Sequence, residues 1–191
     1  MANKRDNKVY GVYVPSVLTS KVSLHITEVG QNLKTSLQNV ISQKNEGKCI
    51  VEGYIKPNSV KVINYSSGVV CGEMITFETM YECMVSHPVE GMLIECEAKT
   101  ITKAGIHAEV VDDEGNVPIT VFIARDHHYT QSYFNNVKEN EQIKVSVIGI
   151  RFELNDPYIC AIAKLVDNRN ISDINYDRTR KEPINIINDD Q

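Results

Sequence analysis

The chain has 191 residues, 42% of them hydrophobic and 24% charged, with a formal net charge of −5. That composition suits ordinary globular structure with room for two small domains, and confines disorder to the ends. It excludes membrane spanning, because no apolar run approaches the required length, and it excludes a bulk positive charge as the grip on nucleic acid.

Charge is unevenly distributed. Residues 1–88 carry nine Lys/Arg against seven Asp/Glu, residues 89–165 seven against twelve, and residues 166–191 four against six. The acidic middle segment can hold phosphates only through a local face. Five widely spaced cysteines, Cys49, Cys71, Cys83, Cys96 and Cys160, form no C-x-x-C pair and have no His at ligand spacing. They read as reduced thiols within apolar strands, with no zinc site or disulfide framework. The start, Met1-Ala2-Asn3-Lys4-Arg5-Asp6, lacks an apolar signal core, so an intracellular, reducing setting is expected.

Val9-Tyr10-Gly11-Val12-Tyr13-Val14 is predicted to be a strand ended by Pro15, and Lys21-Val22-Ser23-Leu24-His25-Ile26 a half-buried one. The period then changes: Leu33, Leu37, Val40 and Ile41 share a helical face, Thr27 or Asn32 could cap its start, and Gly47 lies past its end. Residues 49–55 are expected as one strand, turned by Pro57-Asn58-Ser59 into a strand over 60–65. After the Ser66-Ser67-Gly68 turn, one long strand over 69–85 completes a β-α-β-β-β unit. Met74, Met80 and Met84 would share one face of that last strand, with core as the default reading and a partner surface as the alternative.

The first unit is expected to end near His87-Pro88. Beyond it five strands are predicted near 89–100, 105–111, 117–123, 142–151 and 158–165. Gly105 stands where the second must bend, and Asp112-Asp113-Glu114-Gly115-Asn116 and Asn155-Asp156-Pro157 are turns. Tyr133-Phe134-Asn135 should hold a short turn against the sheet. That order is the order of a small OB barrel, a fold that commonly carries single-stranded nucleic acid on one face. From Asp167 to Gln191 the alternation stops, giving a tail that orders only by docking. The expected fold class is therefore an α+β unit, an antiparallel sheet with one helix over residues 1–88, followed by a five-stranded OB barrel over 89–166 and a tail over 167–191.

Three stretches carry a family resemblance. Gly47-Lys48-Cys49, then Gly53-Tyr54-Ile55-Lys56-Pro57-Asn58-Ser59-Val60-Lys61-Val62-Ile63, then Ser66-Ser67-Gly68, resemble the N-terminal tip domain of the stalk subunit of multisubunit RNA polymerases. This is the seventh subunit of eukaryotic RNA polymerase II and its archaeal E-type counterpart. Val85-Ser86-His87-Pro88-Val89-Glu90-Gly91 is similar to the family's junction with its OB domain, and Phe122-Ile123 to the third barrel strand. The likeness covers about residues 21–165, and the Ser66-Ser67-Gly68 stretch is most similar to versions from large cytoplasmic DNA viruses.

The resemblance implies a non-catalytic subunit with no cofactor and no membrane contact. Its partners would be the polymerase core beside the clamp, met by Lys56, Pro57, Asn58, Ser59, Ser67 and Gly68, and a helical partner of the fourth-subunit or archaeal F type. Nascent RNA would touch the barrel weakly. The location implied is host cytoplasm and virion for a viral protein, and otherwise the nucleus.

Barrels of this type stack bases on aromatic residues of the second and third strands beside a cation. The matching positions are Ala104, His107 and Phe122, with Lys103, Arg151 and Tyr158 nearby, an eroded set because Ala104 stands where an aromatic is common. Phe122 could equally be barrel core and His107 a solvated strand residue. Asp126-His127-His128 invites a hydrolase or nuclease reading, but three consecutive residues with no nucleophile or third ligand read more simply as a solvated loop. Glu95 and Glu97 read as the outer face of a strand, and Ser66-Ser67-Gly68 as a hairpin turn and not a phosphate cradle, since no helix follows. A free-standing RNA-binding adaptor in translation or RNA decay is the alternative to a polymerase subunit.

Overall fold

The computed structural model describes residues 11–128 and 132–166, so Val9, Tyr10 and the 167–191 tail lie outside it. β1 (Val14–His25), α1 (Leu33–Asn45), β2 (Cys49–Ile50), β3 (Gly53–Ile55), β4 (Lys61–Tyr65), β5 (Val69–Cys71) and β6 (Met74–Ser86) form an antiparallel sheet with one helix. The long β6 organises it. β1 runs along one edge of β6, from Val14 opposite Val85 to His25 opposite Met74. On the other edge β3, β4 and β5 follow one another end to end, with β2 beyond β3.

Period-two patterning explains the faces of β6. Phe77, Tyr81, Cys83 and Val85 point to the core, whereas Glu78, Met80 and Glu82 are exposed. α1 covers the inner face, with Leu37 and Ile41 buried among Leu24, Ile55, Val62 and Phe77. Each such side chain contributes about 1.5–3 kcal/mol by leaving water.

Several boundaries differ from expectation. Pro15 lies inside β1 and does not end a strand, which is tolerated because β1 is an edge strand with no ladder on its free side. The expected strand over 49–55 is a hairpin, folded back at Gly53 with φ 131°. The expected strand over 69–85 is also a hairpin, with Cys71 opposite Met74 and Gly72 turning at φ 62°. Asn32 does precede α1, but its side chain makes no capping bond, and Thr27 belongs to a short 3-10 turn over Ile26–Glu28. Met74 and Met80 are exposed and Met84 half-buried, so the methionine stripe is outer surface and not core.

The second half closes into a barrel of β7 (Leu93–Ile101), β8 (Gly105–Val110), β9 (Ile119–Ala124), β10 (Gln142–Arg151) and β11 (Ile159–Leu165). The closed order is β7-β8-β9-β11-β10, and β9 with β11 is parallel while the other pairs are antiparallel. This is the OB arrangement. Its interior holds branched side chains from every strand, thinned by Ala98, Ala108, Ala161 and Ala163 where the small bore leaves little room. The expected turn around Tyr133-Phe134-Asn135 forms as a 3-10 turn, and it delivers Phe134 into the barrel core.

Sheet and barrel are joined by backbone as well as side chains. Cys49 N–H donates to Asp156 O at 2.8 Å and Asn155 N–H donates to Cys49 O at 2.8 Å, so β2 grips the β10–β11 turn. Cys49 and Tyr54 pack into the barrel's own apolar cluster. Lys56 Nζ reaches Glu114 at 2.9 Å, and His87 meets Phe152 edge-on at 5.8 Å.

Candidate functional site

Alternation along β9 decides where its side chains go: Ile119, Val121 and Ile123 point inward, so Thr120 and Phe122 point out. On β8 the same rule sends His107 and Glu109 outward. His107 lies opposite Phe122 and Glu109 opposite Thr120, while on β11 Ile162 faces Phe122 and Cys160 faces Thr120. Two parallel rows result. An apolar, aromatic row runs His107, Phe122, Ile162, and a polar row runs Glu109, Thr120, Cys160.

The His107 and Phe122 rings lie 4.8 Å apart at an interplanar angle of 47°, a tilted pair that leaves ring surface open. Tyr158 and Thr100 complete the rim of a recess of about 400 Å³. Gly105 makes the recess possible. A Cβ there would run into the Ile123 carbonyl and lie 3.1 Å from Phe122 Cζ, so only glycine lets β8 cross β9 this closely.

The recess leans negative, because Glu97 stands opposite Glu109 and Lys99 is the one lysine beside them among the described lining residues. Lys99 Nζ is committed to Glu97 at 2.9 Å, and on the next strand Lys144 is committed to Glu95 at 3.2 Å. Among the described residues no ion pair reaches Glu109. Such a surface can stack a planar ring and accept a hydrogen bond, but it offers no cluster of cations to phosphate.

Of the residues expected to touch RNA, His107, Phe122 and Tyr158 come together here, and Phe122 is outer surface and not barrel core. Lys103 and Arg151 do not join them. Lys103 is in the β7–β8 turn, where its carbonyl accepts from Arg125 Nε at 2.9 Å, and Arg151 pairs with Glu153 at 3.1 Å at the end of β10. Ala104 sits in the same turn, its carbonyl accepting from Arg125 N–H. Sequence reasoning missed Glu109, Thr120, Cys160 and Ile162. The first two were accessible by counting in twos from His107 and Phe122, whereas the β11 pair depends on a parallel contact across 40 residues.

The positions expected at a polymerase core fall into two places. Lys56 faces the barrel, paired with Glu114 and lying 5.6 Å over the Tyr13 ring. Pro57, Asn58 and Ser59 form the adjacent turn, which Ser59 Oγ pins by donating to Lys56 O at 2.6 Å and accepting from Met84 N–H at 3.2 Å. Ser67 and Gly68 lie on the β4–β5 turn beside Ile75 and Phe77, roughly 20 Å further along β6 at ~3.3 Å per residue.

Asp126, His127 and His128 do not form an open site, and His128 is not solvated as expected. Its side chain is buried, with Nδ1 bonded to Ala124 O at 2.8 Å, Nε2 accepting from Leu165 N–H at 2.9 Å, and the ring stacked on Phe134. Cys49, Cys83 and Cys96 are buried, whereas Cys71 and Cys160 are exposed; all five are free thiols. Burial raises the Cys49 and Cys83 thiols to about 11 and Cys96 to about 12, which keeps them protonated. Among the described residues no group of three potential metal ligands converges, and no helix is long and apolar enough to cross a membrane.

No protein-family model matches the chain. Over 198 aligned residues it is 26% identical to a protein of Acanthamoeba polyphaga mimivirus that carries the provisional name of DNA-directed RNA polymerase subunit, covering 94% of this chain and 96% of that one. Over 164 residues it is 21% identical to the DNA-directed RNA polymerase II subunit RPB7 of Glycine max, covering 78% of this chain and 90% of that one. The plant likeness bears out the resemblance to the seventh-subunit family of RNA polymerase II, and the mimivirus likeness its giant-virus versions.

Proposed function

We propose that this chain is a non-catalytic subunit of a viral DNA-directed RNA polymerase, of the seventh-subunit, stalk-forming type. The observation that carries the reading is the likeness to two polymerase subunits, over 94% of the chain for one and 78% for the other, joined to a sheet-plus-helix unit followed by an OB barrel in that family's order. In this reading residues 1–88 dock on the core beside the clamp, using the Ser67-Gly68 turn and the Lys56-Pro57-Asn58-Ser59 turn. Residues 89–166 meet the nascent transcript, and a helical partner of the fourth-subunit type completes a heterodimer. The setting is the host cytoplasm and the virion.

Contact with RNA is weak and base-directed in this account. His107, Phe122 and Tyr158 supply ring surface, while Lys99 is neutralised by Glu97, so stacking outweighs counterion release. A free-standing RNA-binding adaptor would need a basic face to bind alone, and the recess lacks one.

Affinity capture of the tagged chain from infected cells, followed by mass spectrometry, tests the reading. The expected result is co-recovery of the large catalytic polymerase subunits in stable proportion. Recovery as a solitary monomer would count decisively against it.

A further inference from the structure

We propose that the recess selects an unpaired guanine, stacked on Phe122, with its N1–H and exocyclic N2 amino group donated to the Glu109 carboxylate. This deepens the proposed contact with the transcript and rests on it. Phe122 and Glu109 both point outward and are diagonal neighbours across the β8–β9 pair, since Phe122 lies opposite His107 and Glu109 opposite Thr120. Diagonal positions stand roughly 7–8 Å apart, the reach of a base lying on one residue with its edge toward the other.

The chemistry of Glu109 singles out the base. An ionised carboxylate only accepts hydrogen bonds, and it binds best where two adjacent donors face it. On the Watson–Crick edge only guanine presents two adjacent donors. Adenine and cytosine place a ring-nitrogen lone pair beside their amino group, which repels the second carboxylate oxygen. Uracil flanks its one N–H with two carbonyls. Glu109 is available for this role because the neighbouring Lys99 is held by Glu97 at 2.9 Å. Thr120, whose hydroxyl makes a long contact of 3.8 Å with Cys160 Sγ, stands beside Glu109 and can turn its hydrogen toward guanine O6. The base must be unpaired, because the edge being read is the one a duplex occupies.

The test measures fluorescence anisotropy of the full chain with short uridine oligomers at fixed salt. Each carries one central guanosine, inosine, adenosine or cytidine, or no substitution. The guanosine oligomer is expected to bind about tenfold more tightly than all-uridine RNA, from one bidentate base contact. Inosine, which keeps N1–H and lacks the amino group, should fall between, and Glu109→Gln should erase the guanosine preference. Equal affinity for all oligomers, or a preference that survives Glu109→Gln, overturns the proposal. If all oligomers bind equally and Phe122→Ala weakens them all, guanine selection fails while RNA contact stands. If none binds, both readings fail.

Discussion

The Tyr13 hydroxyl donates to the Asp112 carboxylate at 3.0 Å, tying the segment ahead of β1 to the β8–β9 turn of the barrel. Asp112 also accepts from the Asn116 and Glu114 N–H groups at 2.8 and 2.9 Å, so one carboxylate both shapes its own turn and holds the neighbouring unit. Burial pushes the Asp112 carboxyl up, but hydrogen bonds from Asn116, Tyr13 and Glu114 outweigh it and hold the group below its usual range. Burial and the Asp112 charge keep the Tyr13 phenol protonated.

Tyr13→Phe should therefore destabilise the protein by about 1.5 kcal/mol at neutral pH, since a hydrogen bond to a charged acceptor is lost while the ring is kept. A carboxyl depressed in the folded state contributes stability above its unfolded value of 3.8, and loses it as pH falls through the folded value. Urea unfolding of wild type and variant should thus differ at pH 7 and converge below about pH 3.8. A gap unchanged with pH would show that the phenol acts through packing.

Acid should also weaken the barrel through His128. Its Nε2 accepts from Leu165 N–H while the other nitrogen meets Ala124 O, an arrangement that requires the neutral ring. Burial lowers its pKa from 6.5, and Lys164 and His127 nearby act in the same direction. Arg125 and Asp126 flank it on the same 3-10 turn, and Phe134 covers its face. Because the unfolded chain takes up this proton more readily, stability should fall as pH drops below about 6.5 and level off below the native value. The urea midpoint should shift between pH 7.5 and 5 in wild type, and His128→Gln should flatten that dependence.

Gly68→Ala tests the β4–β5 turn. A Cβ at Gly68 would lie 2.5 Å from Ile75 Cγ2 and 2.8 Å from Phe77 Cε1, so the core beneath must move. The expected cost is about 1–3 kcal/mol, seen as a lower unfolding midpoint and faster amide exchange along β5. Unchanged exchange would mean that the turn lifts away without strain.

Thr79→Val should do the reverse. Thr79 is fully buried between β6 and the helix-covered core, and its hydroxyl oxygen finds no hydrogen-bond partner among the described residues. Replacing that hydroxyl with a methyl of similar size should stabilise by about 1 kcal/mol, raising the melting temperature by roughly 2–4 °C. A fall in melting temperature would reveal a bond that the hydroxyl makes.

Both kinds of architecture were legible because each obeys a simple period. Leu33, Leu37, Val40 and Ile41 repeat as one helical face, and five alternating stretches gave barrel strands whose bounds lie within a few residues of those observed. Tight reversals were not legible. Residues 49–55 and 69–85 read as continuous strands because Val51-Glu52 and Gly72-Glu73 interrupt the apolar pattern too briefly to register, although both Gly53 and Gly72 carry the positive φ that marks the turn. At the site, His107 and Phe122 were legible through the family resemblance, while strand alternation alone left the face of Phe122 open, and Cys160 and Ile162 reach it only through the parallel β9–β11 pairing. Burial of His128 was illegible for a similar reason: the amide that occupies its Nε2 belongs to Leu165, 37 residues away.

The two backbone bonds between Cys49 and the Asn155-Asp156 turn leave the barrel little freedom to swivel. That turn leads straight into Tyr158 and β11, one wall of the recess. Whatever clasps the sheet therefore aims the recess, as a wrist aims a hand. A misaligned grip on β2 would turn the His107 and Phe122 rings to a new direction without altering a single residue of the recess.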